Sequence, residues 1–104
     1  MNQTKEITVK PERLAYANGL MAKGTVNLAD YDLPKFENIE TWTATFPNGI
    51  SADIKLNTSG DDVWCEGVLF DKNNLEIACT DVMDKLDGEY VWSVGSDTYK
   101  VIVK

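Results

Sequence analysis

WTATFPNGISADIKL, residues 42–56, is the stretch that decides the fold. Apolar and polar residues alternate on both sides of Phe46-Pro47-Asn48-Gly49-Ile50. Proline at the second position and glycine where φ must be positive predict a type I turn closed by a bulge. That loop pairs Phe46 with Ile50, Ala44 with Ala52, and Trp42 with Ile54. Thr41, Thr43 and Thr45 then share the opposite face with Ser51, Asp53 and Lys55. A two-residue loop would set Phe46 against Ser51 and mix the faces, and a slip of one residue inverts a whole strand. The apolar face therefore carries two alanines at its centre, and interiors are close-packed, so something must fill the space above them.

Downstream, NTSGDD (57–62) predicts a loop that pairs Leu56 with Val63, Ile54 with Cys65, Ala52 with Gly67, and Ile50 with Leu69. DKNN (71–74) turns the chain again. With Asn74 at a bulge position, Leu69 meets Ile77 and Gly67 meets Cys79; a two-residue turn instead pairs Phe70 with Leu75 or Ile77. TDVMDKLDG (80–88) predicts a short helix near 81–87, capped by Thr80 or Asp81 and followed by Gly88. The chain closes in a hairpin, EYVWSVGSDTYKVIVK (89–104), that pairs Trp92 with Val101 and Tyr90 with Val103.

Upstream, EITVK (6–10) predicts a first strand. PERLAYANGLMAKG (11–24) predicts a helix with Pro11 in its first turn, Leu14, Ala17 and Met21 on one face, and Gly24 just past the end. Asn18-Gly19 is a flaw in it, costing roughly 1 kcal/mol against alanine, and an early stop or a turn there is the alternative. VNLADYDLPKFENI (26–39) is irregular, and Pro34 excludes a central strand. The expected fold is α+β and mainly antiparallel β. It is a meander of about five to seven strands, as a sandwich or partly open barrel, with the N-terminal helix and the short helix near 81–87. The 104 residues make a single domain, 1–104.

In these registers Ala44, Ala52, Gly67 and Cys79 line up across four strands as a trough. The N-terminal helix is the expected filler, through Leu14, Ala17 and Met21; a small apolar ligand is the alternative. The other face carries Trp64, Glu66, Val68 and Phe70, with Asp53, Lys55, Glu76 and Ala78 nearby. Aromatic residues among carboxylates suit a protein–protein surface. The competing expectation is that the last hairpin, with Tyr90 and Trp92, folds over this face and makes it a second core layer.

Net charge is −7. Residues 61–89 hold nine acids against Lys72 and Lys85 and so carry the whole excess. Nucleic acid and anionic membrane need a basic footprint, so neither is an expected partner. A protein with a basic surface fits, unless the acidity only keeps the chain soluble. MNQTKEITVK lacks the apolar core of a signal peptide and no run approaches a membrane span, which predicts a cytoplasmic protein with both thiols reduced.

Histidine is absent, which removes His-based triads and the commonest metal ligand. Two cysteines make no Cys₄ zinc site. DKNNLE departs from a calcium loop at Leu75. No phosphate-cradling glycine motif occurs. Asp61-Asp62 and Asp53/Glu66 are candidate paired carboxylates of the kind hydrolases use, although adjacent acids in a loop usually only make a turn.

These readings predict a non-enzymatic acidic binding module with no cofactor and no metal. It would be an inhibitor or adaptor engaging a basic, for example nucleic-acid-binding, protein through Asp61, Asp62, Trp64, Glu66, Phe70 and Glu76. The alternatives are an apolar-ligand binder using the trough, or a structural subunit that dimerises along YKVIVK (99–104). Lys100 and Lys104 guard that last segment, so a monomer or weak homodimer is expected.

Overall fold

The computed structural model describes residues 3–23, 37–59 and 62–104. Strand β1 (Gln3–Val9) leads into helix α1 (Leu14–Lys23). Strands β2 (Glu37–Thr45), β3 (Ser51–Ser59), β4 (Asp62–Phe70) and β5 (Glu76–Cys79) follow as an antiparallel meander. Strands β6 (Gly88–Val94) and β7 (Asp97–Val103) form the closing hairpin. The protein is mainly β, in two sheets ordered β2-β3-β4-β5 and β1-β7-β6, and no closed barrel forms among the described residues.

The 42–56 hairpin forms as its turn chemistry dictates. The Phe46 amide donates to Ile50 O at 2.8 Å, and the Gly49 amide to Phe46 O at 3.0 Å. Gly49 has φ 92°, where a side chain would be strained. Ala44 faces Ala52, and Trp42 faces Ile54.

The next hairpin is tighter than its polar sequence suggests. Ser59 pairs with Asp62, so only positions 60 and 61 connect the strands. Leu56 meets Cys65, Ile54 meets Gly67, and Ala52 meets Leu69, each two residues from the expected partner. A two-residue shift preserves the face of every side chain, so the inner and outer sets stand.

At the 71–74 turn Asn74 does take the left-handed position, with φ 65°. The Asp71 amide donates to Leu75 O, and Asp71 Oδ1 caps the amides of Asn73 and Leu75. The ladder then shifts between Leu69 and Phe70: Phe70 faces Glu76, but Leu69 faces Ala78 and Val68 faces Cys79. This bulge flips the parity of β5.

The expected helix near 81–87 is absent. β5 is too short to pair the whole edge of β4, and the following segment completes it. Thr80 N donates to Gly67 O at 2.8 Å, and Gly67 N to Thr80 Oγ1 at 2.9 Å. Cys65 and Met83 exchange both backbone bonds, at 2.9 and 2.7 Å. Satisfying these buried groups outweighs the local capping signal.

Sheet one, β2 to β5, presents Ala44, Phe46, Ala52, Ile54, Leu56, Val63, Cys65 and Leu69 to the core, and the other sheet presents Tyr90, Trp92, Tyr99, Val101 and Val103. Small residues of one layer thus receive large ones of the other. At Gly67 a Cβ would lie 2.5 Å from Trp92 Cζ2, and the indole Nε1 donates to Gly67 O at 3.2 Å. Tyr99 packs edge-on against Phe46, and its hydroxyl accepts from Asn48 Nδ2 at 2.9 Å. The buried Tyr90 hydroxyl donates to Leu86 O at 2.8 Å.

The aromatics of the last hairpin, and not the N-terminal helix, occupy the space over Gly67. Helix α1 reaches the core elsewhere, with Ala17 and Met21 buried and the Cys65 thiol 3.5 Å from Met21 Sδ. Asn18 is no flaw: its Oδ1 accepts from Leu86 N and its Nδ2 donates to Asp87 Oδ1. Gly24 and most of 26–39 lie outside the described residues.

The closing hairpin turns on Gly95 (φ 60°) and Ser96, pairing Val94 with Asp97. Trp92 therefore faces Tyr99, and Tyr90 faces Val101, again two residues from expectation. β7 is a central strand, flanked by β6 and by parallel β1. The edge through which YKVIVK would pair with a second copy is already filled by residues 3–9.

Candidate partner-binding face

The outer face of the β2-β3-β4-β5 sheet is built by alternation and register. Ser51, Phe70 and Glu76 make one cross-strand row. Thr43, Asp53, Val68 and Cys79 make the next; Thr41, Lys55 and Glu66 a third; Asn57 and Trp64 a fourth; Ser59 and Asp62 the last. Asp62, Trp64, Glu66, Phe70 and Glu76 thus share one face. Asp61 lies outside the described residues.

The face is not uniform. Trp64 is 5% exposed and Asn57 is 1% exposed, so this end is buried although it is separate from the main core; Val68, in the Asp53 row, is also 5% exposed. Trp64 is consequently not a displayed anchor. The closing hairpin does not cover it, because that hairpin packs on the opposite side of the sheet. Asp62 and Glu66 are half-buried; Asn57 Nδ2 donates to Glu66 Oε1 at 3.3 Å. At the other end Phe70 is half-buried and Glu76 is exposed. Lys55 Nζ lies 5.9 Å from the centre of the Phe70 ring. Leu75 and Ile77 beside this end are 63% and 39% exposed.

Asp53 is held by Thr43, whose Oγ1 donates to Asp53 Oδ1 at 2.7 Å. The threonine–aspartate pair was readable from the hairpin register, but its role in shaping a recess beside Phe70 depends on the position of Asn74 after the turn. Glu66 stands opposite Lys55 and not opposite Asp53, so those two carboxylates do not form a directly facing pair.

The trough does not form as read. Ala44 and Ala52 face each other, but the row continues through Leu69 and Ala78. Gly67 sits one row away against Trp92. Cys79 is exposed on the outer face because the β5 bulge reverses its parity.

Cys65 and Cys79 are both free and lie on opposite faces of the sheet. Burial pushes the Cys65 thiol up to about 12, opposed in part by the hydrogen bond with Tyr90 and aided by the nearby Glu66 charge. Burial likewise raises Tyr90, with Cys65 and Asp87 adding to it. These groups are neutral packing partners at physiological pH.

Among the described residues no three acidic or cysteine side chains group as a metal site, and no helix is long and apolar enough to cross a membrane. Compared with protein families, curated proteins and solved structures, the chain matches none.

Proposed function

We propose that this chain is a small acidic, non-enzymatic binding module on a two-sheet β-sandwich scaffold. It engages a protein partner through that partner's basic surface, as an inhibitor or adaptor. The observation that carries the reading is the accessible end of the outer face: Phe70 directly opposite Glu76, with Asp53 one row away and Glu66 further along. An aromatic anchor ringed by carboxylates combines apolar contact with electrostatic steering. The exposed Leu75 and Ile77 extend the apolar area. The excess acidity of residues 61–89 supplies the long-range field.

The test is capture of partners from a source-cell lysate at low and high salt. The native chain is compared with a Glu66→Gln/Glu76→Gln variant and with a Glu6→Gln/Glu12→Gln control of equal net charge. A basic protein released by salt, lost from the first variant and kept by the control, supports the reading. Equal loss from both variants makes the charge a general solubility device and overturns it.

A further inference from the structure

A cavity of about 340 Å³ opens at the accessible end of the outer face, lined by Thr43, Ser51, Asp53, Phe70 and Asn74. One lining residue is an anion, one is aromatic, three are neutral hydrogen-bonding residues, and none is a cation. The anion is pre-aimed: the Thr43 hydroxyl holds Asp53 Oδ1 at 2.7 Å, leaving Oδ2 for another donor. Lys55 Nζ already lies 5.9 Å from the Phe70 ring centre, so the wall accommodates a positive charge and an incoming cation displaces that ammonium from it. Glu76, paired with Phe70 across the ladder, adds a second carboxylate at the rim.

This combination suits a guanidinium better than an ammonium. Guanidinium is planar, stacks on a ring face, and spreads five N–H donors in a fork that can satisfy a carboxylate and neighbouring hydroxyl or amide oxygens together. An ammonium is a compact, strongly hydrated charge that gains less from the ring. We propose that the cavity receives an arginine side chain of the protein partner, with its guanidinium between Phe70 and Asp53. The proposal rests on the reading of this face as a partner surface and names the group that face selects.

The test follows backbone amide signals of the full chain by NMR during titration with N-acetyl-arginine amide. N-acetyl-lysine amide and the uncharged N-acetyl-citrulline amide are the comparison probes. Saturable shifts centred on Thr43, Ser51, Asp53, Phe70 and Asn74 are expected with the arginine probe, several-fold weaker binding with lysine, and none with citrulline. Asp53→Asn keeps an acceptor for Thr43 and removes the charge; it should weaken the arginine probe roughly tenfold, the scale of one lost charge-assisted hydrogen bond. Phe70→Leu should weaken it several-fold, as a second variant independent of the Thr43 contact.

Shifts no larger in the cavity than at Asp81, Asp84 and Asp87 would overturn the proposal, as would equal binding of citrulline or an unchanged Asp53→Asn titration. Partner capture separates the two readings. If Asp53→Asn holds a basic partner as well as the native chain while Glu66→Gln/Glu76→Gln loses it, the cavity proposal falls and the acidic face stands. If the arginine probe fills the cavity but the face holds no basic protein at any salt, the assignment to a protein partner falls.

Discussion

Replacing Gly67 by alanine tests the central packing of the fold. The added Cβ would lie 2.5 Å from Trp92 Cζ2, 3.0 Å from Tyr90 Cδ2 and 3.2 Å from Trp92 Cη2, whereas ordinary contacts are 3.4–4 Å. The indole must therefore retreat by roughly 1 Å, in a core where such overpacking costs about 1–3 kcal/mol. Its path is restricted, because Trp92 is 2% exposed and its Nε1 is bonded to Gly67 O at 3.2 Å. Losing that bond adds about 1 kcal/mol. The smaller entropy of the unfolded alanine chain returns about 0.4–1 kcal/mol. The net expectation is a destabilisation of about 1–3.5 kcal/mol, or a fall in Tm of roughly 4–28 °C for a domain of this size.

Urea unfolding followed by tryptophan fluorescence, with thermal circular dichroism alongside, measures it. A double-mutant cycle with Trp92→Phe supplies the decisive comparison, since phenylalanine vacates the Cζ2 position. In that background Gly67→Ala should cost at least about 1 kcal/mol less than in the native chain. A Gly67→Ala protein within about 0.5 kcal/mol of native, or an equal cost in both backgrounds, would refute the claim that Trp92 occupies the space over Gly67.

Further outcomes follow from other sites. Gly19 lies in α1 where an added methyl group would meet nothing within 4 Å, so Gly19→Ala should stabilise by about 0.5–1 kcal/mol in the same unfolding assay. Its neighbour behaves oppositely: Asn18→Ala removes the acceptor for Leu86 N and the donor to Asp87 and should cost about 1–2 kcal/mol. An aromatic disulfide reagent should titrate one thiol rapidly in the native protein, the exposed Cys79, and two after unfolding, because Cys65 is fully buried. Stability should fall on the alkaline side. The folded Cys65 holds its proton up to about 12 while the unfolded thiol releases it near 9.0, so the folded state binds more protons between those values. The slope is at most about 1.4 kcal/mol per pH unit from this group, and Cys65→Ala should flatten it in urea titrations across that range.

What the sequence made legible followed the reach of its local signals. The 42–56 hairpin is correct to the register because Pro47 and Gly49 together allow one loop. The β3-β4 and β6-β7 hairpins kept their faces and lost their registers by two residues: Asn57, Thr58 and Ser59 look like loop chemistry, yet they continue β3 into paired positions. The bulge after Glu76 has no comparable signature, and it moved Cys79 out of the expected row. Residues 81–87 carry a real capping signal, overridden by the unpaired edge of β4. Asp62, Glu66 and Phe70 share one face because alternation along β4 places them there, and Glu76 joins them because Asn74 takes the left-handed position in the turn. The burial of Trp64 was open to expectation from its residue type, but the last hairpin expected to cover it packs on the opposite face, which strand parity does not reveal.

The parallel ladder between β1 and β7 has a kinetic meaning. Gln3 pairs with Asp97 and Val9 with Val103, so the first strand of the described fold waits for the last. On a ribosome, residues 3–9 emerge with no partner and remain so while the β2-to-β5 meander folds from its own short turns. The aromatic layer that closes over Gly67 arrives in the same final step, because β6 and β7 supply it. Closing so long a loop makes late contacts slow to form, so the topology favours an order in which the β2-to-β5 sheet pairs before its apolar inner face is covered. Whatever protects that face during synthesis, by chaperone or by speed, matters as much to the protein's survival as the stability it finally attains.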